Sequence, residues 1–143
     1  QKEGSSSKGI RTLKTFLRNK AMIDTNFLHI QDGSGLSRYN LLNVDQIISL
    51  LVYMNESPYR QQFKNSLPFG GKRGSRLEGR LVYAGNKIRA KTGSLSGVSA
   101  LSGYIESNSL GPLAFSIIIN GFTGSSDPFR KLQDDICKFL AMN

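Results

Sequence analysis

The 143-residue sequence predicts an α/β fold of the α+β kind, an antiparallel sheet with flanking helices. Apolar residues recur at helical spacing near both ends and in the middle of the chain. Residues 97–106 and 113–120 have the length and the Ile, Val and Phe content of strands. The cluster Asn108-Ser109-Leu110-Gly111-Pro112 supplies a turn between them. The size suits one domain with one modest core, and no internal repeat is visible.

Taken in order, Gly4-Ser5-Ser6-Ser7 is a small polar lead-in. Ile10, Leu13, Phe16 and Leu17 then predict a helix over 7–20, with Lys and Arg between them. Phe27 to Ile30 is a short apolar run of strand character, followed by the turn Asp32-Gly33-Ser34-Gly35. Asn43 with Gln46 three residues on has the pattern of a capping box. Val44, Ile47, Ile48 and Leu51 form the apolar face of the helix it would start, over 44–55. A short helix is expected from Tyr59 to Ser66, between Pro58 and Pro68. Residues 69–87 are rich in Gly, Arg and Lys and read as a surface loop with a short helical turn. Lys87 to Lys91 alternates basic and apolar residues, as a strand does. Asp127, with Pro128 behind it, is placed to cap a last helix whose buried stripe is Phe129, Leu132, Ile136 and Leu140.

Composition excludes several functions. The net charge is +9, and 38% of residues are hydrophobic. The longest apolar runs are too short to cross a bilayer. The excess of basic residues lies in 1–20 and 60–91, whereas 21–59 is acidic. These basic residues are not interleaved with stacking aromatics, so a solvated face is preferred over a nucleic-acid surface. One His and one Cys make a metal site very unfavourable, and no cofactor is expected. Cys137 is read as a small buried hydrophobe and His29 as a satisfied structural histidine. The chain opens on Gln1 without an apolar leader, which suits a mature form or a piece of a longer protein.

Two segments carry chemistry. Lys91-Thr92-Gly93-Ser94 is expected to end one strand and precede another. Its ammonium can attract a carboxylate, and its hydroxyls can hydrogen-bond one. Glycine allows close approach to the backbone, and an N–H on a strand edge can face a developing oxyanion. The second is Asp32-Gly33-Ser34-Gly35-Leu36-Ser37-Arg38-Tyr39-Asn40, where a Ser on a glycine-rich turn could relay a proton. Alone, each reads as an ordinary turn or strand end.

Together they are more specific. The Asp32 to Arg38 turn followed by a helix, then Ala90-Lys91-Thr92-Gly93-Ser94-Leu95-Ser96-Gly97, resembles the D-alanyl-D-alanine carboxypeptidases and endopeptidases among the class C low-molecular-mass penicillin-binding proteins. The resemblance covers nearly the whole chain, including Leu67-Pro68-Phe69-Gly70-Gly71 and the terminal helix. It implies that residues 1–143 are the C-terminal portion of a single transpeptidase-like domain, related to the serine β-lactamases. It implies serine acyl transfer on peptidoglycan stems ending in D-Ala-D-Ala, inhibition by β-lactams, and a periplasmic or cell-envelope location. Ser37 would match the second-motif serine that relays a proton, and Lys91 the lysine that supports it. Thr92 and Ser94 would bind the terminal carboxylate, Gly93 would let substrate lie close, and the Ser94 N–H would be half of an oxyanion hole. A strict S-x-N spacing falls on Tyr39, whereas the asparagine is Asn40.

That family's nucleophile lies in an S-x-x-K element. The one match here, Ser5-Ser6-Ser7-Lys8, precedes Ser37 too closely for the family's layout. The nucleophile is therefore expected in an N-terminal part of the same protein. A β-lactamase-like hydrolase and a non-catalytic wall-binding module are the alternatives on the same fold.

Overall fold

A computed structural model describes residues 4–143, in the order α1 (Ser6–Asn19), α2 (Val44–Glu56), α3 (Arg60–Ser66), a 3-10 segment (Val82–Lys87), β1 (Ile88–Leu95), β2 (Val98–Ser107), β3 (Gly111–Asn120) and α4 (Asp127–Met142). The three strands form one antiparallel sheet in the order β1-β2-β3. The chain divides into two compact units, the first ending at Tyr53 and the second running from Met54 to Asn143. The division falls inside α2.

In the first unit, the Ser5 hydroxyl caps α1 by accepting from the Lys8 N–H at 3.3 Å. Leu17, Ala21, Ile23 and Leu28 form its core, with Ile30, Leu50 and Tyr53 packed against them. Phe16 meets Tyr53 edge-on, with ring centroids 5.7 Å apart. The capping box before α2 is complete. Gln46 N–H donates to Asn43 Oδ1 at 2.9 Å, and Asn43 N–H to Gln46 Oε1 at 3.0 Å. Gln46 is itself buried, and its Nε2 donates to the Asp24 carbonyl at 2.9 Å. The expected strand at 27–30 reduces to one bridge, His29 to Leu41, and the His29 side chain is exposed rather than structural.

The second unit is built on β2, which is paired on both sides. Its odd residues Leu101 and Ile105 lie fully buried with Ile88, Ala90, Phe115, Cys137 and Ala141. Burying each such aliphatic side chain is worth about 1.5–3 kcal/mol. The other face receives α3: Phe63 packs edge-on against Tyr104 at 6.4 Å, and Lys64 Nζ sits 4.9 Å above the same ring. Arg89 Nη1 donates to the Lys64 and Leu67 carbonyls at the end of α3, where a cation is favourable.

The 69–87 segment is fastened to α4. Arg80 grips Asp134 through Nε and Nη2, the shortest contact being 2.7 Å, and Nη2 also reaches Gln133 Oε1 at 3.2 Å. The Tyr83 hydroxyl donates to the Asp134 carbonyl at 2.6 Å. These contacts explain the one stripe that differs from expectation. Gln133, Cys137 and Ala141 are the buried residues of α4, whereas Leu132, Ile136 and Phe139 are exposed. Gln133 can be buried because its amide is satisfied at both ends, by Arg80 and by Ser99 Oγ at 3.2 Å. The helix starts with Asp127 as its first residue and Ser126 as cap.

Cys137 is buried as expected, and burial pushes its thiol up to about 12. A raised thiol favours the folded state until the unfolded thiol ionises. The stability difference between this protein and Cys137→Ala, measured by urea unfolding, should hold below pH 9.0 and narrow as the pH climbs from there towards about 12. A difference that widens with pH would contradict this burial.

Gly103 sits opposite Ala90, where a Cβ would come 2.1 Å from the Arg89 carbonyl oxygen and 2.7 Å from Ala90 Cα. Backbone cannot yield as a side-chain tip can. Gly103→Ala should therefore cost about 3 kcal/mol in the same urea titration. Gly33→Ala, with nothing within 4 Å, should be nearly neutral.

Candidate active site

The segment Lys91-Thr92-Gly93-Ser94 lies inside β1, not at a strand end as its composition suggested; the strand continues to Leu95. Pairing with β2 continues unbroken through Lys91↔Ser102, Thr92↔Leu101, Gly93↔Ala100 and Ser94↔Ser99. Directly opposed residues share a face. Lys91 therefore stands over the face of Ser102 and Ser116, whose hydroxyls lie 2.9 Å apart. Thr92 and Ser94 belong to the opposite face, with Ile88 and Ala90 beneath them in the strand.

The outer edge of β1 is paired only at its start. Gly70 N–H donates to the Ile88 carbonyl, and Ala90 N–H to the Pro68 carbonyl, both at 3.0 Å. Gly70 must be a glycine, because a Cβ there would come 2.5 Å from the Leu81 carbonyl oxygen. Even-numbered residues of β1 thus direct their N–H and C=O groups away from β2. Beyond Ala90 this edge has no strand partner among the described residues. The N–H groups of Thr92 and Ser94 consequently face outward through an open edge. The outward Thr92 carbonyl accepts from Lys91 Nζ at 2.5 Å. Lys91 and Ser94 are exposed in this chain, and Thr92 is half-buried.

Ser37 and Asn40 lie in the first unit. Asn40 is the staple of the glycine-rich turn. Its Oδ1 accepts from Gln31 N–H at 2.7 Å and Asp32 N–H at 3.3 Å, while its Nδ2 donates to the Asp32 carbonyl at 3.3 Å. The Ser37 hydroxyl accepts from Tyr39 N–H at 3.2 Å, and the Asn40 N–H donates to the Ser37 carbonyl at 3.2 Å. The hydroxyl and N–H of Ser34 hold the Asp32 carboxyl below its ordinary value, with Asn40 adding to the effect. Tyr39, the strict third position, is 72% exposed. The amide available near Ser37 is thus spent on the turn itself. The structure therefore presents the six predicted residues as two groups, four consecutive on β1 and two on this turn. Among the described residues no cluster of His, Cys, Asp or Glu could hold a metal, and no helix is long and apolar enough to cross a membrane.

The model of the D-Ala-D-Ala carboxypeptidase 3 (S13) family matches residues 1–142. The chain belongs to this family. It is 44% identical to the D-alanyl-D-alanine carboxypeptidase of Actinomadura sp. (strain R39) over 83% of this chain and 23% of the relative. It is 31% identical to D-alanyl-D-alanine carboxypeptidase DacB of Haemophilus influenzae, over 80% of this chain and 24% of that one. Crystalline penicillin binding protein 4 (dacB) from Haemophilus influenzae superposes with a TM-score of 0.85 at 26% identity, covering 98% of this chain and 33% of that structure. The chain thus spans about a quarter of the length of its curated S13 relatives. The resemblance read from the two motifs names the same family, and the antiparallel sheet with flanking helices is the fold expected of it.

The contribution of Asn40 to the turn is directly measurable. Asn40→Ala strips acceptors from two backbone N–H groups and should cost about 1–2 kcal/mol in thermal or urea unfolding. Retention of full stability would show that water replaces the amide without loss.

Proposed function

We propose that this chain supplies the carboxylate- and oxyanion-recognising part of a serine D-Ala-D-Ala carboxypeptidase or endopeptidase of the cell envelope. Its substrate would be a peptidoglycan stem ending in D-Ala-D-Ala. The observation that carries the reading is the outward N–H of Ser94 on the unpaired stretch of β1, beside Lys91 and Thr92.

The chemistry follows from these positions. A serine hydroxyl supplied by an N-terminal part of the same protein attacks the penultimate carbonyl and forms an ester, expelling D-alanine. The Ser94 N–H stabilises the oxyanion that develops during attack. The Thr92 and Ser94 hydroxyls bind the terminal carboxylate, Gly93 keeps the strand accessible, and Lys91 adds a fixed positive charge. Water then hydrolyses the ester. A β-lactam would enter by the same route and remain as a long-lived acyl group.

Ser37 and Asn40 have two readings. As part of the site, Ser37 passes a proton towards the leaving amine, and Asn40 holds the substrate amide. As part of the fold alone, both fasten the turn, and the hydrogen bonds of Asn40 to residues 31 and 32 favour that reading for the asparagine.

Ser94→Pro in the full-length protein separates recognition from folding. The Ser94 N–H makes no ladder bond, so proline there should spare the sheet while lowering kcat by about 100- to 1,000-fold. Ser94→Ala should mainly raise KM. Lys91→Gln should cost about 100-fold or more in kcat/KM. Ser37→Ala with lowered activity and unchanged melting supports the relay; lowered melting with retained kcat assigns Ser37 to the turn. The 143-residue chain alone should retain no labelled penicillin. Labelling abolished by Ser5→Ala would overturn the placement of the nucleophile elsewhere.

A further inference from the structure

The first unit holds a cavity of about 730 Å³ between one side of α1 and the loop residues Ile30 and Gln31. Arg11, Lys14 and Arg18 line it, with the Ser7 hydroxyl near the start of α1, and no Asp or Glu among the described residues contributes to its wall. Three cations on one side of a helix repel one another. The usual remedy is a carboxylate on the neighbouring turn, and the described residues supply none: α1 has no acidic residue in its first turn, and no ion pair is formed by these three among the described residues.

Arg18 is held without being neutralised. Its Nε and Nη2 donate to Thr25 Oγ1 at 3.1 and 2.7 Å. Thr25 is buried and uncharged. One edge of the guanidinium is thus fixed by a neutral acceptor, which leaves its charge and its remaining N–H groups available. Lys14 is half-buried one turn earlier, and Arg11 stands a further turn back. With a rise of about 1.5 Å per residue, the three positions span roughly 10 Å of helix axis. That length exceeds a single phosphate or carboxylate and suits a short run of anionic groups.

We infer that this cavity is a binding site for an oligoanion, a ligand carrying two or more phosphate or carboxylate groups along about 10 Å. The ligand lies along α1, with one anionic group against the fixed Arg18 and the next against Lys14 and Arg11. This site lies within the first unit and adjoins the Asp32 to Asn40 turn through Gln31, whose N–H donates to Asn40; it does not depend on the proposed acyl transfer.

Calorimetric titration of the full-length protein tests it, using tripolyphosphate, citrate and inorganic phosphate as probes. Saturable one-to-one binding of tripolyphosphate or citrate, weaker binding of inorganic phosphate, and weakening with added salt are expected. The stronger of the first two probes identifies phosphate or carboxylate as the natural chemistry. Arg11→Gln with Lys14→Gln should weaken binding by about tenfold or more. Arg73→Gln with Arg76→Gln removes the same charge from another exposed basic segment and should leave affinity unchanged. Equal losses in both double variants would show attraction to net charge alone, and absence of saturable binding would show no site; either result overturns the inference.

Discussion

The second unit depends on how β1 is held along its outer edge. Between Ile88 and Ala90 the strand is clamped on both sides, by β2 within and by residues 68–70 without. The clamp is possible because two close approaches involve glycine. Gly103 lets β2 lie against Ala90, and Gly70 lets its segment pass under Leu81. Fully buried Ile88 and Ala90 then fix the strand's rotation through the core. Everything beyond Ala90 inherits that rotation, including the direction of the Thr92 and Ser94 N–H groups. A clamp two residues longer would pair the Thr92 N–H with the chain itself, and one four residues longer would pair the Ser94 N–H as well.

Charge is arranged differently in the two units. In the second, cations near the core are satisfied: Arg80 by Asp134, and Arg89 by the carbonyls that end α3. In the first, the cations along the α1 cavity have no carboxylate partner among the described residues. A net charge of +9 is therefore not one diffuse property of the surface. Some of the 19 basic residues are neutralised to tie elements together, as Arg80 is by Asp134, whereas Arg18 is held by a neutral threonine. Surface pairs such as Lys131–Asp135, although only 2.6 Å apart, contribute little because both partners are exposed.

Periodicity and capping chemistry made much of the fold legible in sequence. The Asn43–Gln46 box and the helix after it formed as their spacing predicts, because both signals are local. The α4 stripe was misread for a non-local reason. Gln133 is polar by composition, yet Arg80 and Ser99 satisfy it, and these partners come from distant parts of the chain. Lys91 to Ser94 read as a strand end rather than as mid-strand residues, since Thr, Gly and Ser carry little apolar signal. The commitment of Asn40 to Gln31 and Asp32 was hidden for the same reason as Gln133: hydrogen-bond partners do not appear in a residue pattern. Nor did any composition shift mark the division between Tyr53 and Met54.

A single extended segment can serve several chemical purposes because a strand presents groups in three directions. Alternation sends Lys91 to the face of Ser102 and Ser116, and Thr92 and Ser94 to the other. The backbone N–H groups of Thr92 and Ser94 leave in the plane of the sheet, through its edge. The four proposed recognition positions therefore do not compete for space, although they are consecutive. Backbone donors have a further advantage in such a role. Their direction is set by pairing with β2 and by a packed core, so no side-chain rotamer must be frozen when negative charge develops. The cost is an unpaired strand edge, which is a liability for misassociation. Along β1 it is confined to the residues past Ala90, with the first part of that edge covered by the segment that aligns the strand.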